Sequence, residues 1–244
     1  MNPAVEAVSA FFPCFNDEAT IASMVNLAVT TMEQVGVDGE VTVINDGSTD
    51  SSAAVLVELA AMQPLLRIIT HDRNSGYGAV LLSGFAAAGR QWVFYTDGDA
   101  QYDPTELELL VQHATDDIDV VQGYKLRRAD GMLRRIVGRV YHRFVALFFG
   151  LKIRDTDCDF RLIRRAMLDK IELEHTTGAI TVELVRKLQD AGAVFTEVGV
   201  HHYRRVYGSS EFFTIPAVAR TLWDLAGLWI ELVVLRRGRS HGAR

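Results

Sequence analysis

Two aspartates separated by one glycine follow an apolar run of the chain. Residues 92–95 are apolar and predict a buried strand, and Asp97 and Asp99 come just after it. Open α/β sheets bind ligands at the carboxyl ends of their strands, so both carboxylates can face one bound cation there. Mg²⁺ or Mn²⁺ suits such oxygen ligands and keeps coordination positions for substrate phosphates. The alternative for a bare Asp-x-Asp sequence is a solvated acidic turn, and the position after a core strand favours the metal site.

The elements that must position this pair form a strand–helix alternation in the first half of the chain. Alternating strands and helices are typical of an α/β fold with a mostly parallel sheet. We expect one domain over residues 1–213, followed by an amphipathic helix and a basic tail over residues 214–244. Besides 92–95, the apolar runs that predict strands are 7–12, 41–44, 66–70 and 118–122.

Polar residues and glycines follow three further predicted strands. Asn16 is predicted to cap the first helix. Asp46 can accept hydrogen bonds from a nucleobase, although a lone aspartate in a turn is more often a helix cap. Gly76 and Gly78 open a predicted helix, where glycines let the backbone approach a ligand and free N–H groups can bind phosphate. This is not the dinucleotide fingerprint, which argues against an NAD enzyme.

Charge is distributed unevenly along the chain. The net charge of −6 suggests no general affinity for nucleic acid. Residues 1–124 carry 3 Lys/Arg against 18 Asp/Glu, whereas residues 125–165 carry 12 against 4. An acidic, metal-competent half followed by a basic segment suits a protein that holds a metal–phosphate donor and a second anion. The alternative is that the basic run is only a solvated helix face.

Two predicted helices have wide apolar faces. Helix 131–150 places Arg135, Arg139 and Arg143 opposite aromatic residues, which suits a membrane interface, although its apolar side could equally pack on the core. The helix at 214–235 is nearly all apolar around one charged stripe and is followed by a basic tail. Its apolar stretches are too short to span a bilayer, so we expect it to lie on a membrane surface or against a partner, either a membrane protein or another copy of the chain.

Two segments between these helices are candidate walls of a site. Three acids alternate at Asp155, Asp157 and Asp159. Residues 203–210 read as a flexible loop with two guanidinium groups, apt for closing over phosphates, and His201 and His202 before it read as structural. Two cysteines give no disulfide framework, and we expect no signal peptide before the first strand. We therefore expect a cytoplasmic protein bound peripherally to the inner face of the membrane.

Taken together, four motifs in order resemble family 2 of the nucleotide-sugar glycosyltransferases, and within it the polyprenol-phosphate (dolichol-phosphate) mannosyl and glucosyl transferases. The resemblance covers roughly residues 5–213. It departs from the family at Asn45, where an Asp is usual, at Asp17, where Glu is commoner, and at Asp159, where Gly is frequent. Some related enzymes carry C-terminal transmembrane helices, which we do not expect from this sequence. The four motifs lie at 12–18, 45–50, 74–78 and 97–101.

The resemblance implies a GT-A fold in which a Rossmann-like sheet binds a nucleotide sugar, with Mg²⁺ or Mn²⁺ on its diphosphate. Residues 1–124 then form the donor and metal half, and residues 125–213 the acceptor half. The implied donor-binding residues are Pro13, Phe15, Asp17, Asp46, Gly76, Gly78, Asp97, Arg205 and Ser209. The implied metal ligands, direct or through water, are Asp97, Asp99 and Gln101. The acceptor-binding positions are Lys125, Arg134 and Arg135, together with Arg139 on the same helix face. The candidate catalytic residues are Asp97, Asp99, Arg135 and Asp155.

We therefore expect an inverting transferase that moves a hexose from GDP-mannose or UDP-glucose to polyprenyl phosphate. A lipid phosphate is already an anion at neutral pH and needs no general base, whereas a hydroxyl acceptor does. Hydroxyl-using relatives often place that base in a Glu-Asp dipeptide, which is absent from this chain. The alternatives are a hydroxyl-acceptor transferase of envelope glycan or glycolipid synthesis, with Asp155, Asp157 or Asp159 as base, and a catalytically silent membrane-docked scaffold.

Overall fold

The computed structural model describes residues 4–126, 142–207 and 215–235, without the side chains of 215–218. Its strands are β1 (Ala7–Cys14), β2 (Asp38–Asn45), β3 (Leu66–Thr70), β4 (Trp92–Thr96), β5 (Val120–Lys125), β6 (Phe160–Arg164) and β7 (Phe195–Val200). Its helices are α1 (Ile21–Val35), α2 (Ser52–Met62), α3 (Tyr77–Ala87), α4 (Leu107–His113), α5 (142–149), α6 (Arg165–Leu168), α7 (Ala179–Asp190) and α8 (Ile215–Trp229). A 3₁₀ turn at Pro104–Glu106 precedes α4, and a π turn at Ile230–Val234 follows α8.

The seven strands form one mostly parallel sheet, which confirms the predicted α/β architecture. Their order is β3-β2-β1-β4-β6-β5-β7. Strands β1 to β4 run parallel to their neighbours, and β7 runs parallel to β5. Only β6 is antiparallel, to both β4 and β5, so β5 runs in the direction of β4. The carboxyl ends of β1, β2, β4 and β5 therefore meet at one edge of the sheet.

Helices cover both faces of the sheet, because successive residues of a strand point to opposite sides. In β4, Trp92 and Phe94 enter the apolar layer under α1, α2 and α4. Val93 and Tyr95 enter the layer under α3, α6 and α7. The predicted strand at 92–95 is thus confirmed as a central strand with no exposed residue.

A third apolar cluster joins α5, α7 and α8 beside the sheet. Val145 and Phe149 of α5 pack with Val182 of α7 and with Leu225 and Leu228 of α8. The predicted C-terminal helix is therefore confirmed, with one face used for packing within the protein. Within the described ranges, no helix combines the length and the apolarity that a membrane crossing requires.

Several strand boundaries differ from the sequence prediction, and the ends of β1 and β5 bear on the site. β1 continues beyond residue 12 to Cys14, because its last residues still pair with β2. Its pairing with β4 ends earlier, at Phe11. β5 ends at Lys125 instead of residue 122, since its pairing with β7 continues to Val200. This shift places the ammonium group of Lys125 at the carboxyl edge of the sheet.

Candidate active site

The loops that follow β1 and β2 are joined to each other by side chains. Asn16 N donates to Ser48 Oγ at 3.1 Å, and Asp17 N donates to Ser52 Oγ at 3.0 Å. In return, Asn16 Oδ1 accepts from Thr49 N at 2.8 Å. The prediction that Asn16 caps the first helix is therefore wrong: its φ is +58°, and its amide holds the neighbouring loop instead. Phe15 and Asp17 belong to the loop after β1, which these hydrogen bonds hold against the loop after β2.

Asp97 lies at the end of β4 and is held by a tyrosine that the sequence did not single out. Tyr77 OH donates to Asp97 Oδ1 at 2.9 Å. Burial raises the pKa of the Asp97 carboxyl well above its ordinary range, and the neighbouring carboxylates of Asp159 and Asp99 raise it further. The first turn of α3 thus contributes a direct hydrogen bond to the predicted metal-binding aspartate.

Asp99 is buried and already bonded at both carboxylate oxygens. Its Oδ1 accepts from Gln101 N at 2.9 Å, and its Oδ2 pairs with the Arg205 guanidinium. The structure therefore brings the loop arginine to the predicted metal pair. The Gln101 side chain faces the same loop, since its Nε2 donates to Tyr203 O at 3.1 Å. Gln101 anchors this segment, and its role as a metal ligand stays a prediction.

The acids around this pair form a site of excess negative charge. Burial raises the pKa of Asp17 to about 6, and the Asp99 carboxylate also raises it. No three His, Cys, Asp or Glu side chains of residues 4–126, 142–207 and 215–235 converge to hold a metal ion by themselves. The buried Asp99 and the half-buried Asp97 carry unfavourable mutual charge, and the pair nevertheless fits a hard divalent cation whose remaining ligands are diphosphate and water oxygens. The residues present thus suit the predicted Mg²⁺ or Mn²⁺.

A buried arginine lies beneath the acids, in the segment that the sequence indicates as a wall of the site. Arg161 is 1% exposed, and its guanidinium contacts Gln122 Oε1 and Tyr95 OH. It also donates to Asp159 Oδ1 at 3.1 Å and to Thr156 O at 2.7 Å. Arg161 of β6 is paired with Tyr95 of β4 and with Gln122 of β5. Its side chain can therefore contact the side chains of both neighbouring strands. Arg161 thereby fixes Asp159 close to Asp97.

Asp46 meets His71 because β2 and β3 are in parallel register. Asn45 is opposite Thr70, so the next residue of each strand lies at the same edge. Asp46 Oδ1 accepts from His71 Nδ1 at 2.7 Å and from Ser75 N at 2.9 Å, and Oδ2 accepts from Gly76 N at 3.0 Å. Asp46 therefore organises the loop at 71–76, and a contact to a nucleobase stays a prediction.

The two glycines at the start of α3 have their own N–H groups bonded within the protein, and their place beside the donor stays a prediction. Gly78 N donates to Thr176 O at 3.0 Å, and a Cβ at Gly78 would lie 2.4 Å from the carbonyl carbon of Thr176. Gly76 has φ +95°, and its N–H is bonded to Asp46. The backbone that approaches these glycines is that of residues 175–176. This corrects the expectation that Gly76 and Gly78 offer free N–H groups to the donor.

The predicted acceptor side is built by the end of β5 and the acidic segment before β6. Lys125 Nζ donates to Asp157 O at 2.6 Å. Asp155 is buried, and its Oδ1 accepts from Asp157 N at 3.2 Å. Of the acids in this segment, Asp159 is the one that interacts electrostatically with Asp97. Arg134, Arg135, Arg139 and Ser209 lie outside the described residues.

Helix α5 reaches the acceptor side through a histidine. His142 Nδ1 lies 3.1 Å from Thr156 Oγ1, within the acidic segment. His201 instead pairs with Glu106, and the His202 ring packs on Tyr102, in keeping with structural roles for both. The contact of His142 links the predicted amphipathic helix to the predicted site.

Known proteins share the sequence pattern and the fold. The sequence profile described as Glycosyl transferase family 2 matches residues 9–172. The chain is 27% identical over 223 residues to undecaprenyl-phosphate 4-deoxy-4-formamido-L-arabinose transferase of Salmonella paratyphi B, covering 91% of this chain and 67% of that protein. The protein of the same name from Salmonella typhimurium matches equally.

Solved structures of glucosyl-3-phosphoglycerate synthase from Mycobacterium tuberculosis have the same fold. The complex with Mg²⁺ and UDP gives a TM-score of 0.67 at 17% identity, over 91% of this chain and 80% of that one. The complex with Mn²⁺, UDP and glucosyl-3-phosphoglycerate gives 0.64 at 17% identity, over 92% and 79%. This likeness confirms the expected GT-A architecture. From the profile match over two thirds of its length, the chain belongs to glycosyl transferase family 2.

Proposed function

We propose that this glycosyltransferase moves a sugar from a nucleotide sugar to polyprenyl phosphate at a membrane surface. One observation carries the proposal: the half-buried Asp97 and the buried Asp99 form an acidic pair at the sheet edge, and Arg205 contacts Asp99. The relatives from Salmonella, named as undecaprenyl-phosphate transferases, support a lipid phosphate as acceptor. The expectation of GDP-mannose or UDP-glucose as donor stays a prediction.

On the donor side, the chain supplies fixed charge at the bond that breaks. A divalent cation at Asp97 and Asp99 would neutralise the diphosphate of the leaving nucleotide. Tyr77 holds Asp97, and the Gln101 backbone holds Asp99, so neither carboxylate must reorganise during the reaction. Arg205 adds a guanidinium suited to phosphate oxygens.

On the acceptor side, a positive charge faces the site and no base is required. Lys125 is held by Asp157 O, which leaves its ammonium further donors for a phosphate. A phosphate monoester is ionised at neutral pH and can attack the anomeric carbon directly, with inversion. Arg134, Arg135 and Arg139 remain predicted partners of the same phosphate.

The apolar residues of α5 and α8 support docking on a membrane. Leu147 is 80% exposed and Trp223 is 81% exposed. The Phe148 ring contacts the Trp229 ring at 6.2 Å between centroids, so the exposed faces of the two helices adjoin. Large exposed apolar patches mark interaction surfaces, and a lipid acceptor would lie in the bilayer beside this one. The expected location on the cytoplasmic face is part of the proposal.

One observation favours a hydroxyl acceptor as the second candidate. Asp159 is held by Arg161 and interacts with Asp97, which places an oriented carboxylate near the donor site. Such a carboxylate could take the proton of an attacking hydroxyl. This favours Asp159 as the base for that reaction, and the candidate roles of Asp155 and Asp157 stay predictions.

A transfer assay distinguishes these reactions. The protein is incubated with Mn²⁺, polyprenyl phosphate and, in separate tubes, radiolabelled GDP-mannose, UDP-glucose or UDP-N-acetylglucosamine. We expect label to enter the organic phase with one donor as an acid-labile phosphodiester. Label on a hydroxyl acceptor, with none on the lipid phosphate, would replace the proposal with its alternative. Nucleotide binding without any transfer would leave the silent scaffold.

A further inference from the structure

Arg205 supplies a full positive charge to a carboxylate that also belongs to the predicted metal site. The guanidinium contacts Asp99 Oδ2, while Asp99 Oδ1 is used by Gln101 N at 2.9 Å. The Asp99 side chain is 4% exposed and that of Arg205 is 29% exposed. Water therefore screens this pair only in part. The described site thus already contains one cation on Asp99.

The surrounding charges require a cation at this point. Arg205 interacts electrostatically with Asp17 and Asp97 as well as with Asp99. Three neighbouring carboxylates, largely removed from water, are strongly unfavourable without a counter-charge. Arg205 fills the role that a divalent cation would fill in the donor complex.

The chain around Arg205 is anchored two residues earlier. Tyr203 N donates to Gln101 O at 2.8 Å, and His201 N donates to Glu106 Oε2 at 2.9 Å. Beyond this anchor the segment lies at the surface, with Val206 78% exposed. The long side chain of Arg205, two residues after the anchored Tyr203, can therefore change its hydrogen-bond partner without a movement of the sheet.

We propose that Arg205 is the resident counter-ion of Asp99 and leaves that carboxylate when a divalent cation binds. The two positive charges compete for one oxygen of Asp99. Once released, the guanidinium can pair with the donor diphosphate, so one arginine serves two anions in succession. This inference rests on the metal-dependent transfer proposed above. It predicts effects of opposite sign: loss of Arg205 favours cation binding without donor and slows transfer with donor.

Binding of Mn²⁺ to the nucleotide-free protein tests the competition. Free Mn²⁺ is titrated by electron paramagnetic resonance in the unaltered protein, in Arg205→Gln and in Arg205→Ala. Arg204→Gln is the matched control, because it removes the same charge from an exposed neighbour on the same segment. We expect both Arg205 variants to bind Mn²⁺ at least about tenfold more tightly than the unaltered protein. The Arg204 variant should bind as the unaltered protein does.

A second variant locates the bound ion. Adding Asp99→Asn to Arg205→Gln should abolish the tight Mn²⁺ binding, and circular dichroism reports whether each variant is folded. Equal or weaker Mn²⁺ affinity in both Arg205 variants overturns the inference and leaves the transfer reaction standing. Tight binding that survives Asp99→Asn also overturns it. If none of the proteins binds Mn²⁺, with or without nucleotide, the inference fails together with the metal role in the proposed function.

Discussion

At the scale of single residues, the site depends on hydrogen bonds that orient its carboxylates. Asp97 receives the Tyr77 hydroxyl, Asp46 receives His71, and Asp159 receives Arg161. Each donor comes from a different element than the acid it holds. The orientation of Asp97 and Asp46 therefore depends on residues at least twenty positions away in the chain, whereas Asp159 is held by a residue two positions away.

Replacing Tyr77 by Phe tests this orientation of Asp97. The variant keeps the ring and removes the hydrogen bond, so we expect turnover to fall about five- to tenfold with little change in stability. Steady-state kinetics of sugar transfer measure the change. Tyr203→Phe is the matched control, because its side chain is about half exposed and should leave turnover unchanged. Unchanged turnover in Tyr77→Phe would contradict the assigned role.

Glu183 gives the protein a pH-dependent stability. Bonds from His175 and Lys187 outweigh burial and lower the pKa of Glu183 from 4.5 to about 2. A lowered pKa of an acid stabilises the fold above its ordinary value, and this contribution is lost as the pH falls from about 4.5 towards 2. The same pairing raises the pKa of His175, whose contribution is complete below 6.5 and is lost as the pH rises through its raised value.

Denaturation by urea as a function of pH measures this contribution. Between pH 6 and pH 3, we expect the unaltered protein to lose on the order of 2 kcal/mol more unfolding free energy than Glu183→Gln, which has no charge to lose. Asp116→Asn serves as control, since this acid lies on the surface. Parallel pH profiles for the unaltered protein and Glu183→Gln would show that the carboxylate does not carry the effect.

The aspartates could be found from the sequence, whereas their partners could not. Asp97 and Asp99 follow an apolar run, and that local pattern suffices to place them at a strand end. Tyr77 lies twenty residues away from Asp97 in the chain, and only the packing of α3 against the sheet brings them together. The one available signal was its position between two glycines at a helix start. That the N–H groups of those glycines are already bonded could not be predicted, because their partners, Thr176 and Asp46, are distant in sequence.

At the scale of elements, the approach of residues 175–176 to α3 fixes the start of that helix. We expect Gly78→Ala to destabilise the protein by roughly 1–3 kcal/mol, because the added carbon collides with the Thr176 backbone. Gly227→Ala is the matched control: its added carbon meets no atom within 4 Å. In that exposed helix, alanine should stabilise by about 0.5–1 kcal/mol. Thermal unfolding measures the stability of both variants. Equal changes in stability would show that the close approach of Thr176 to Gly78 does not affect the stability of the fold.

Elements with a clear apolar period were predictable, and their ends were not. The strands at 41–44, 66–70 and 92–95 follow from local apolar runs and are confirmed. The extension of β5 to Lys125 depends on its pairing with β7, which lies seventy residues later in the chain. The reversal of β6 is likewise set by its two neighbours and leaves no local mark in the sequence.

At the scale of the whole molecule, the acidic site and the proposed membrane-facing surface are formed by different elements. The acidic site lies at the sheet edge, and exposed apolar residues adjoin on α5 and α8. We expect Leu147→Ser combined with Trp223→Ser to reduce binding to vesicles at least about tenfold, since both side chains are largely exposed and apolar. Co-sedimentation with anionic phospholipid vesicles measures the loss. Val57→Ser with Met62→Ser is the control, because these exposed apolar residues belong to α2. Equal losses would indicate non-specific adhesion.

The central claim is that a cation held by Asp97 and Asp99 enables sugar transfer to a lipid phosphate. The most direct test is the rate at which labelled sugar enters polyprenyl phosphate, measured with Mn²⁺ and again after EDTA. We predict transfer with Mn²⁺, loss of transfer in EDTA, recovery on adding Mn²⁺ back, and no transfer by Asp97→Asn under any of these conditions. Undiminished transfer in EDTA, or full activity of Asp97→Asn, would contradict the account.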